Sequence, residues 1–258
     1  SRNSVKYSRI ISMSLVSIAI PTHNRENLIA ETIKSAENQT FDDIEIVVCD
    51  NNSNDNTFEI VNEPARADSR IKAFRNNENL GPVKNWIECI KKSNSKYCKL
   101  LFSDDLISPN YLEETIPAIL DAKCGVVYTS AIIGDKPWQG SVAYNAFTGN
   151  IGISRNAYIR TAVCSDGVFP VSPGAALFRK TDLIASILTE LDGIENYDFS
   201  ATGSGVDWLT YVLTTLRYEH IAYVNKPLSF FRAHEGSLSI KNENNLIVLG
   251  QQLAKNWI

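Results

Sequence analysis

The sequence is poor in the residues that mark many kinds of site. Its 258 residues include three histidines, one methionine and five cysteines. His23, His220 and His234 are too far apart in sequence to suggest an all-histidine metal site. Cys49, Cys89, Cys98, Cys124 and Cys164 are odd in number and form no CxxC pair. That argues against a disulfide framework or a zinc knuckle, and for small buried thiols in a reducing compartment. No run of about 18 apolar residues occurs, so no membrane-spanning helix is expected. There is no basic block, and a net charge of −4 disfavours a nucleic-acid binder held by phosphate contacts. The phosphate loop GxxxxGK[ST], GxGxxG after a strand, HExxH and GxSxG are all missing.

What is present suits one large α/β domain, with 44% hydrophobic and 21% charged residues. Arg2, Lys6 and Arg9 before an apolar stretch imitate a signal peptide. Serines interrupt that stretch, however, and it runs into Pro21-Thr22-His23-Asn24-Arg25 with no small-residue cleavage site. Leu15–Ile20 therefore reads as a buried first strand. Met13 reads as the native start, which makes residues 1–12 an added segment or linker.

Strand and helix signals alternate from there. Leu15–Ile20, Ile44–Asp50, Ile71–Arg75 and Lys99–Phe102 read as strands. Asn24–Asn38 reads as a helix with Asn24 able to cap it, and Gly81-Pro82 opens another with Val83, Trp86, Ile87 and Ile90 on one face. A further helix starts at Ser108-Pro109, and Pro117 should bend or break it. Such an order implies a mostly parallel sheet flanked by helices, whose ligands collect at the carboxyl ends of the strands. In the second half, Gly125–Ile133, Ser141–Phe147, Ile221–Val224 and Leu228–Arg232 read as strands. Thr181–Leu191 and Gly205–Tyr218 read as helices, and 148–174 as loops over a cleft. A terminal helix, Asn242–Ile258, stops abruptly, as if the native chain continues.

Phe102-Ser103-Asp104-Asp105 carries the strongest local chemistry. Two adjacent carboxylates at the end of a buried strand repel each other and lose hydration, and a hard divalent cation relieves both. The plainer alternative is a helix amino terminus dressed with acids. Asp207, in Gly203-Ser204-Gly205-Val206-Asp207-Trp208, could serve as a general base at a first helical turn, or simply complement the helix dipole. His234, after Phe231-Arg232-Ala233, is either structural or a phosphate or metal ligand.

Taken in order, these segments resemble the inverting family 2 glycosyltransferases with the GT-A fold. Ser17–Arg25 is similar to their opening strand and loop, and Val47–Thr57 to their second-strand signature with its Ser-x-Asp-x-Thr turn. Arg75–Gly81 with Asn85 is similar to the stretch leading to their DXD strand, and Pro170–Arg179, Asp207-Trp208 and Arg232-Ala233-His234 follow in the expected order. The resemblance covers about Leu15–Ser239. It implies a single GT-A (Rossmann-like) domain over 13–240, with a nucleotide-binding half of about 13–107 and an acceptor half of about 108–240. It places Thr22, Asn24, Arg25, Asp50, Asn52, Arg75, Ser103 and Asp104 around a nucleotide-sugar, with UDP favoured. Asp104, Asp105 and His234 would hold Mn²⁺ or Mg²⁺, and Asp207 would be the catalytic base. Two departures stand out: Phe102 or Ser103 occupies the place of the first Asp of the DXD run, and Val206 the place of an acid before the base.

The implied activity is inverting sugar transfer to a glycan or lipid-linked glycan in surface polysaccharide or glycolipid synthesis. It would act in the cytoplasm or at the inner face of the membrane, with peripheral membrane contact. A catalytically silent nucleotide-sugar-binding module is the alternative from another class, and a nucleotide-sugar hydrolase is a third.

Overall fold

The computed structural model describes residues 13–165, 168–234 and 245–258. The first half alternates strictly: β1 (Val16–Thr22), α1 (Ile29–Glu37), β2 (Ile44–Asp50), α2 (Thr57–Ala67), β3 (Ile71–Arg75), α3 (Pro82–Lys92) and β4 (Tyr97–Leu100). After it come β5 (Leu106–Ile107), α4 (Tyr111–Ile119), β6 (Cys124–Lys136), β7 (Gln139–Ala143), β8 (Ile151–Ser154) and α5 (Arg155–Cys164). A short 3₁₀ turn, Pro173–Ala175, leads to β9 (Ala176–Arg179), α6 (Lys180–Ser186), α7 (Phe199–Thr202), α8 (Val206–Leu216), β10 (His220–Arg232) and α9 (Leu246–Trp257).

The strands form one sheet in the order β3-β2-β1-β4-β9-β6-β10-β5, with β7 added to β6 and β8 to β10. The β1–β2, β2–β3, β1–β4 and β6–β10 pairs are parallel, and β9 is antiparallel to both β4 and β6. Hence β1, β2, β3, β4, β6 and β10 all point the same way, and their carboxyl ends share one edge of the sheet. Alternation along the strands sorts two cores onto its two faces. Val16, Ile18 and Ile20 pack with Ile29 and Ile33 of α1 and Leu112 of α4, while Ala19 packs with Val83, Trp86 and Ile90 of α3 and Leu209 of α8. Helices on both faces explain why β1 and β2 are buried along their whole length.

Several boundaries differ from the expectations. The first helix begins at Ile29, not at Asn24, which takes a left-handed φ of 51° and accepts the Asn54 N–H instead of capping. Pro117 lies in the last turn of α4 without breaking it, because only one backbone bond is forfeited there. The segment 148–174, expected to be loops, contains β8 and all of α5. The two late strands are one, β10, whose register shifts around Pro227. The helix expected over Thr181–Leu191 ends at Ser186. Four cysteines are buried as free thiols, but Cys164 is exposed. Residues 1–12, and Asn242 at the expected start of the terminal helix, lie outside the described residues.

Candidate functional site

Apart from Asp207, which opens α8, the expected site residues gather at or just beyond the ends of the parallel strands. Asp50, the last residue of β2, is fully buried, and its Oδ2 accepts the Ser53 N–H at 3.1 Å while Oδ1 accepts the Ser53 hydroxyl. Arg75, the last residue of the adjacent β3, brings Nε to 3.3 Å from Asp50 Oδ2 and donates to the Ser53 carbonyl at 2.7 Å. The β1–α1 loop is locked onto the β2–α2 turn. Asn24 N–H donates to Ser53 Oγ (2.9 Å), Arg25 N–H to Thr57 Oγ1 (2.7 Å) and Glu26 N–H to Asp55 Oδ2 (3.2 Å). Asn52 holds a φ of 57° in the same turn, a conformation asparagine tolerates better than most residues.

Three polar atoms of this loop are buried without a hydrogen-bond partner among the described residues: Thr22 Oγ1, His23 Nδ1 and Arg25 Nε. Such orphans cost about 1–3 kcal/mol each unless something bonds to them. Their concentration on one loop beside Asp50 makes this loop the candidate ligand site.

The second group follows β4. Asp104 Oδ2 lies 2.9 Å from His234 Nε2, just beyond β10, and 3.6 Å from Arg25 Nη2. Arg232 clamps the turn, with Nε donating to the Asp104 carbonyl (3.0 Å), its own N–H donating to Asp105 Oδ1 (3.0 Å) and Nη2 meeting Glu31 Oε2 at 2.5 Å. Asp105 is thus engaged with backbone, so of the three expected metal ligands only Asp104 and His234 face each other. Burial and the adjacent Asp104 charge push the Asp105 carboxyl well above its usual range. Ser103 is buried, and its carbonyl accepts the Thr32 hydroxyl at 3.1 Å. Phe102 packs against Trp86 with ring centroids 5.1 Å apart and planes tilted by 52°, and neither Phe102 nor Ser103 supplies an acid.

Among the described residues no three His, Cys, Asp or Glu side chains form a metal cluster. An Asp–His pair beside this polar loop nonetheless fits a Mg²⁺ or Mn²⁺ ion of the kind that takes one or two protein ligands and fills its sphere with water and substrate oxygens.

Asp207 opens α8, and its Oδ1 accepts the N–H groups of Trp208 (2.7 Å) and Gly205 (2.9 Å). Burial pushes its carboxyl up to about 7 despite these bonds, which pull the other way. A carboxylate poised near neutrality suits a general base.

Several neighbours were not among the expected site residues. Asn51, Asn76, Asn79 and Asn85 form an amide network, with Asn76 Nδ2 donating to Asn51 Oδ1 (2.9 Å) and to Asn85 Oδ1 (3.0 Å), and Asn51 Nδ2 to Asn79 Oδ1 (2.8 Å). It fixes the loop after β3, and the run of asparagines was its signal. Lys99 of β4 is fully buried, donates to the Gly174 carbonyl and lies 4.3 Å from the centre of the Tyr111 ring. Burial lowers its ammonium to about 7, and a lone lysine in an apolar strand was the available clue. Tyr144, with a φ of 59°, rests on Phe231 (6.5 Å between centroids), and its hydroxyl is within electrostatic reach of both Asp207 and Asp105. Burial, then those two charges, raise it to about 12. Nothing in the sequence pointed to it.

The model of the family described as glycosyl transferase family 2 matches residues 17–185. A UDP-Glc:alpha-D-GlcNAc-diphosphoundecaprenol beta-1,3-glucosyltransferase, WfaP of Escherichia coli, is 26% identical over 241 residues, covering 91% of this chain and 84% of its own. Three other curated relatives are matched over only 30–45% of their length. Among solved structures, S. aureus TarS 1-349 in complex with UDP-GlcNAc superposes with a TM-score of 0.68 at 22% identity, over 87% of this chain and 60% of that one. The mannosyltransferase PcManGT from Pyrobaculum calidifontis, in complex with GDP-Man and Mn²⁺, gives 0.59 at 14% identity over 88% of this chain and 59% of its own. These two likenesses concern the GT-A fold. No described helix is long and apolar enough to cross a membrane.

Proposed function

The chain belongs to glycosyl transferase family 2, and from that premise we propose that it transfers a sugar, glucose favoured, from a UDP-sugar to a hydroxyl of a lipid-linked glycan, with inversion. The observation that carries this reading is the convergence at one sheet edge of the Asp50–Arg75 pair, the orphaned polar atoms of Thr22, His23 and Arg25, and the Asp104–His234 pair. The E. coli relative's donor and acceptor, as its name gives them, supply the substrate class.

The Asp50 carboxylate, held by Ser53 and Arg75, takes the base or ribose of the nucleotide. Arg25 meets the diphosphate with positive charge, and the Thr22 hydroxyl and His23 Nδ1 complete the pocket. Asp104 and His234 would hold Mn²⁺ or Mg²⁺, which when bound would supply positive charge to neutralise the leaving diphosphate. Asp207 removes the proton of the acceptor hydroxyl, whose oxygen attacks the anomeric carbon from the face opposite the diphosphate. The new C–O bond forms as the old one breaks, with no covalent enzyme intermediate, and the electron pair leaves on the nucleotide. Tyr144 stands on the acceptor side, between the base and the DXD turn. Cytoplasmic placement at the inner membrane face follows from the same substrates.

Transfer is tested with UDP-glucose, Mn²⁺ and a short-chain GlcNAc-diphospholipid acceptor, with the linkage read by NMR. A β-linked product from the α-linked donor supports the reading, and an α-linked product contradicts inversion. Donor binding without transfer to any glycan would favour the silent module.

A further inference from the structure

The loop that carries Asp207 is gripped between two elements, and neither lies in the nucleotide half's sheet. On one side Gly203, at φ 76°, approaches Trp86 of α3 so closely that a Cβ there would sit 2.3 Å from the indole ring. On the other side α9 meets the loop backbone to backbone. A Cβ on Gly205 (φ 86°) would lie 2.4 Å from the Gly250 carbonyl oxygen and 3.0 Å from Ala254 Cβ. A Cβ on Gly250 would lie 2.7 Å from the Ser204 carbonyl oxygen and 2.2 Å from the Tyr197 hydroxyl. Two hydrogen bonds pin the contact: Ser204 Oγ to the Ile247 carbonyl at 2.5 Å, and the Tyr197 hydroxyl to the Leu246 carbonyl at 2.7 Å. Only Gly250 and Ala254 of α9 are buried, so the helix spends its close-packed face on this one turn.

The same turn sets the base. Gly203 O accepts the Asp207 N–H at 3.0 Å, and Gly205 N–H donates to Asp207 Oδ1 at 2.9 Å. A shift of Gly203–Gly205 therefore moves the carboxylate directly.

We propose that α9 is a positioning element for the catalytic base, with Gly250, Gly205 and Ser204 as positioning residues that fix Asp207 through the Gly203–Gly205 turn. The inference rests on Asp207 being the base, as proposed above. The small residues at 205, 250 and 254 are there because a close backbone approach excludes anything larger.

The test compares Gly250→Ala and the milder Ser204→Ala with Val248→Ala, which alters an exposed residue on the same helix. Hydrogen exchange is measured on each full chain, alongside release of UDP from UDP-glucose with Mn²⁺ and the short-chain GlcNAc-diphospholipid acceptor. Faster exchange at 203–209 is expected in the first two variants, with β1–β4 amides still protected and Val248→Ala unchanged. Turnover should fall on the order of ten- to a hundredfold for Gly250→Ala, at unchanged KM for the donor, because misplacement of about 1 Å costs up to that much. Ser204→Ala, which adds no bulk, keeps the test readable if Gly250→Ala does not fold. Unchanged exchange at 203–209 in the variants that fold, or faster exchange there with wild-type turnover, would overturn the proposal. If Asp207→Asn itself left turnover intact, the base assignment would fail instead, and the exchange result would still report whether α9 holds the turn.

Discussion

Asp104 and His234 are 130 residues apart in the chain, yet Asp104 Oδ2 and His234 Nε2 lie 2.9 Å apart. The turn after β4 leads straight into β5, which pairs antiparallel with β10 (Phe230 opposite Leu106), and that pairing brings Asp104 to the end of β10. Arg25 reaches the same carboxylate oxygen at 3.6 Å, so a cation from the first loop also faces the pair. Asp104→Ala is expected to abolish metal-dependent stabilisation by the donor. His234→Ala should weaken it less, because a carboxylate remains. Calorimetric titration of Mn²⁺ in the presence of UDP separates the two, and equal metal affinity in wild type and Asp104→Ala would refute the pairing.

Asp207→Asn should reduce transfer by about 10²–10⁴-fold, the usual contribution of a positioned base. Its carboxyl is raised to about 7, from an ordinary 3.8, by burial. The folded state therefore binds more protons than the unfolded state between these values, and stability falls as pH rises through that window. The asparagine variant escapes this loss. Its melting temperature relative to wild type should grow from pH 4 to pH 8, while wild-type kcat/KM rises with pH up to about 7 and then levels. A pH-independent difference in melting temperature would contradict the buried-carboxyl account.

Lys99 runs the opposite way. Burial lowers its ammonium to about 7, from 10.5, so the unfolded state binds more protons between those values and stability recovers as pH rises through them. Lys99→Met removes that penalty together with the bond to the Gly174 carbonyl. Melting curves at pH 6 and pH 9 should show the variant faring better relative to wild type at the lower pH, and the reverse trend would mean Lys99 is not held uncharged at pH 9.

Much of this was legible in the chain. Ile44–Asp50, Ile71–Arg75 and the Pro82 helix start were found where expected, since β-branched runs and a Gly-Pro step leave little choice. Asp50 and Arg75, which end those two strands, and Asp104, in the turn after β4, could be placed because a parallel sheet fixes where strand ends go. Other features were not legible, for physical reasons. Pro64 inside α2 hid a helix, and α5, with only Tyr158 and Ala162 buried, has too weak an apolar face to betray itself. Tyr144 reaches the site through a left-handed backbone turn, and Gly250 meets Gly205 across 45 residues, so tertiary packing alone reveals either.

In the proposed mechanism Tyr144 stands on the acceptor side. A bulky residue at φ 59° is held there by its surroundings, and such strain concentrates at ligand clamps. Tyr144→Phe keeps the ring on Phe231 and removes the hydroxyl near Asp207 and Asp105. Steady-state kinetics should show a higher KM for the acceptor, roughly three- to tenfold for one lost hydrogen bond, at unchanged KM for the donor. A change confined to the donor would place Tyr144 on the other side of the cleft.

The central claim, a nucleotide-sugar pocket completed by a metal at Asp104, is tested most directly by thermal unfolding. UDP-, GDP-, dTDP- and CMP-sugars would each be added with and without Mn²⁺, to wild type and to Asp104→Ala. A ligand at about a hundred times its Kd adds ~2.7 kcal/mol, on the order of 5–10 °C for a domain of this size. The account predicts such a shift with UDP-glucose, dependent on Mn²⁺ and lost in Asp104→Ala. No shift with any donor, or one indifferent to both metal and Asp104, would contradict it.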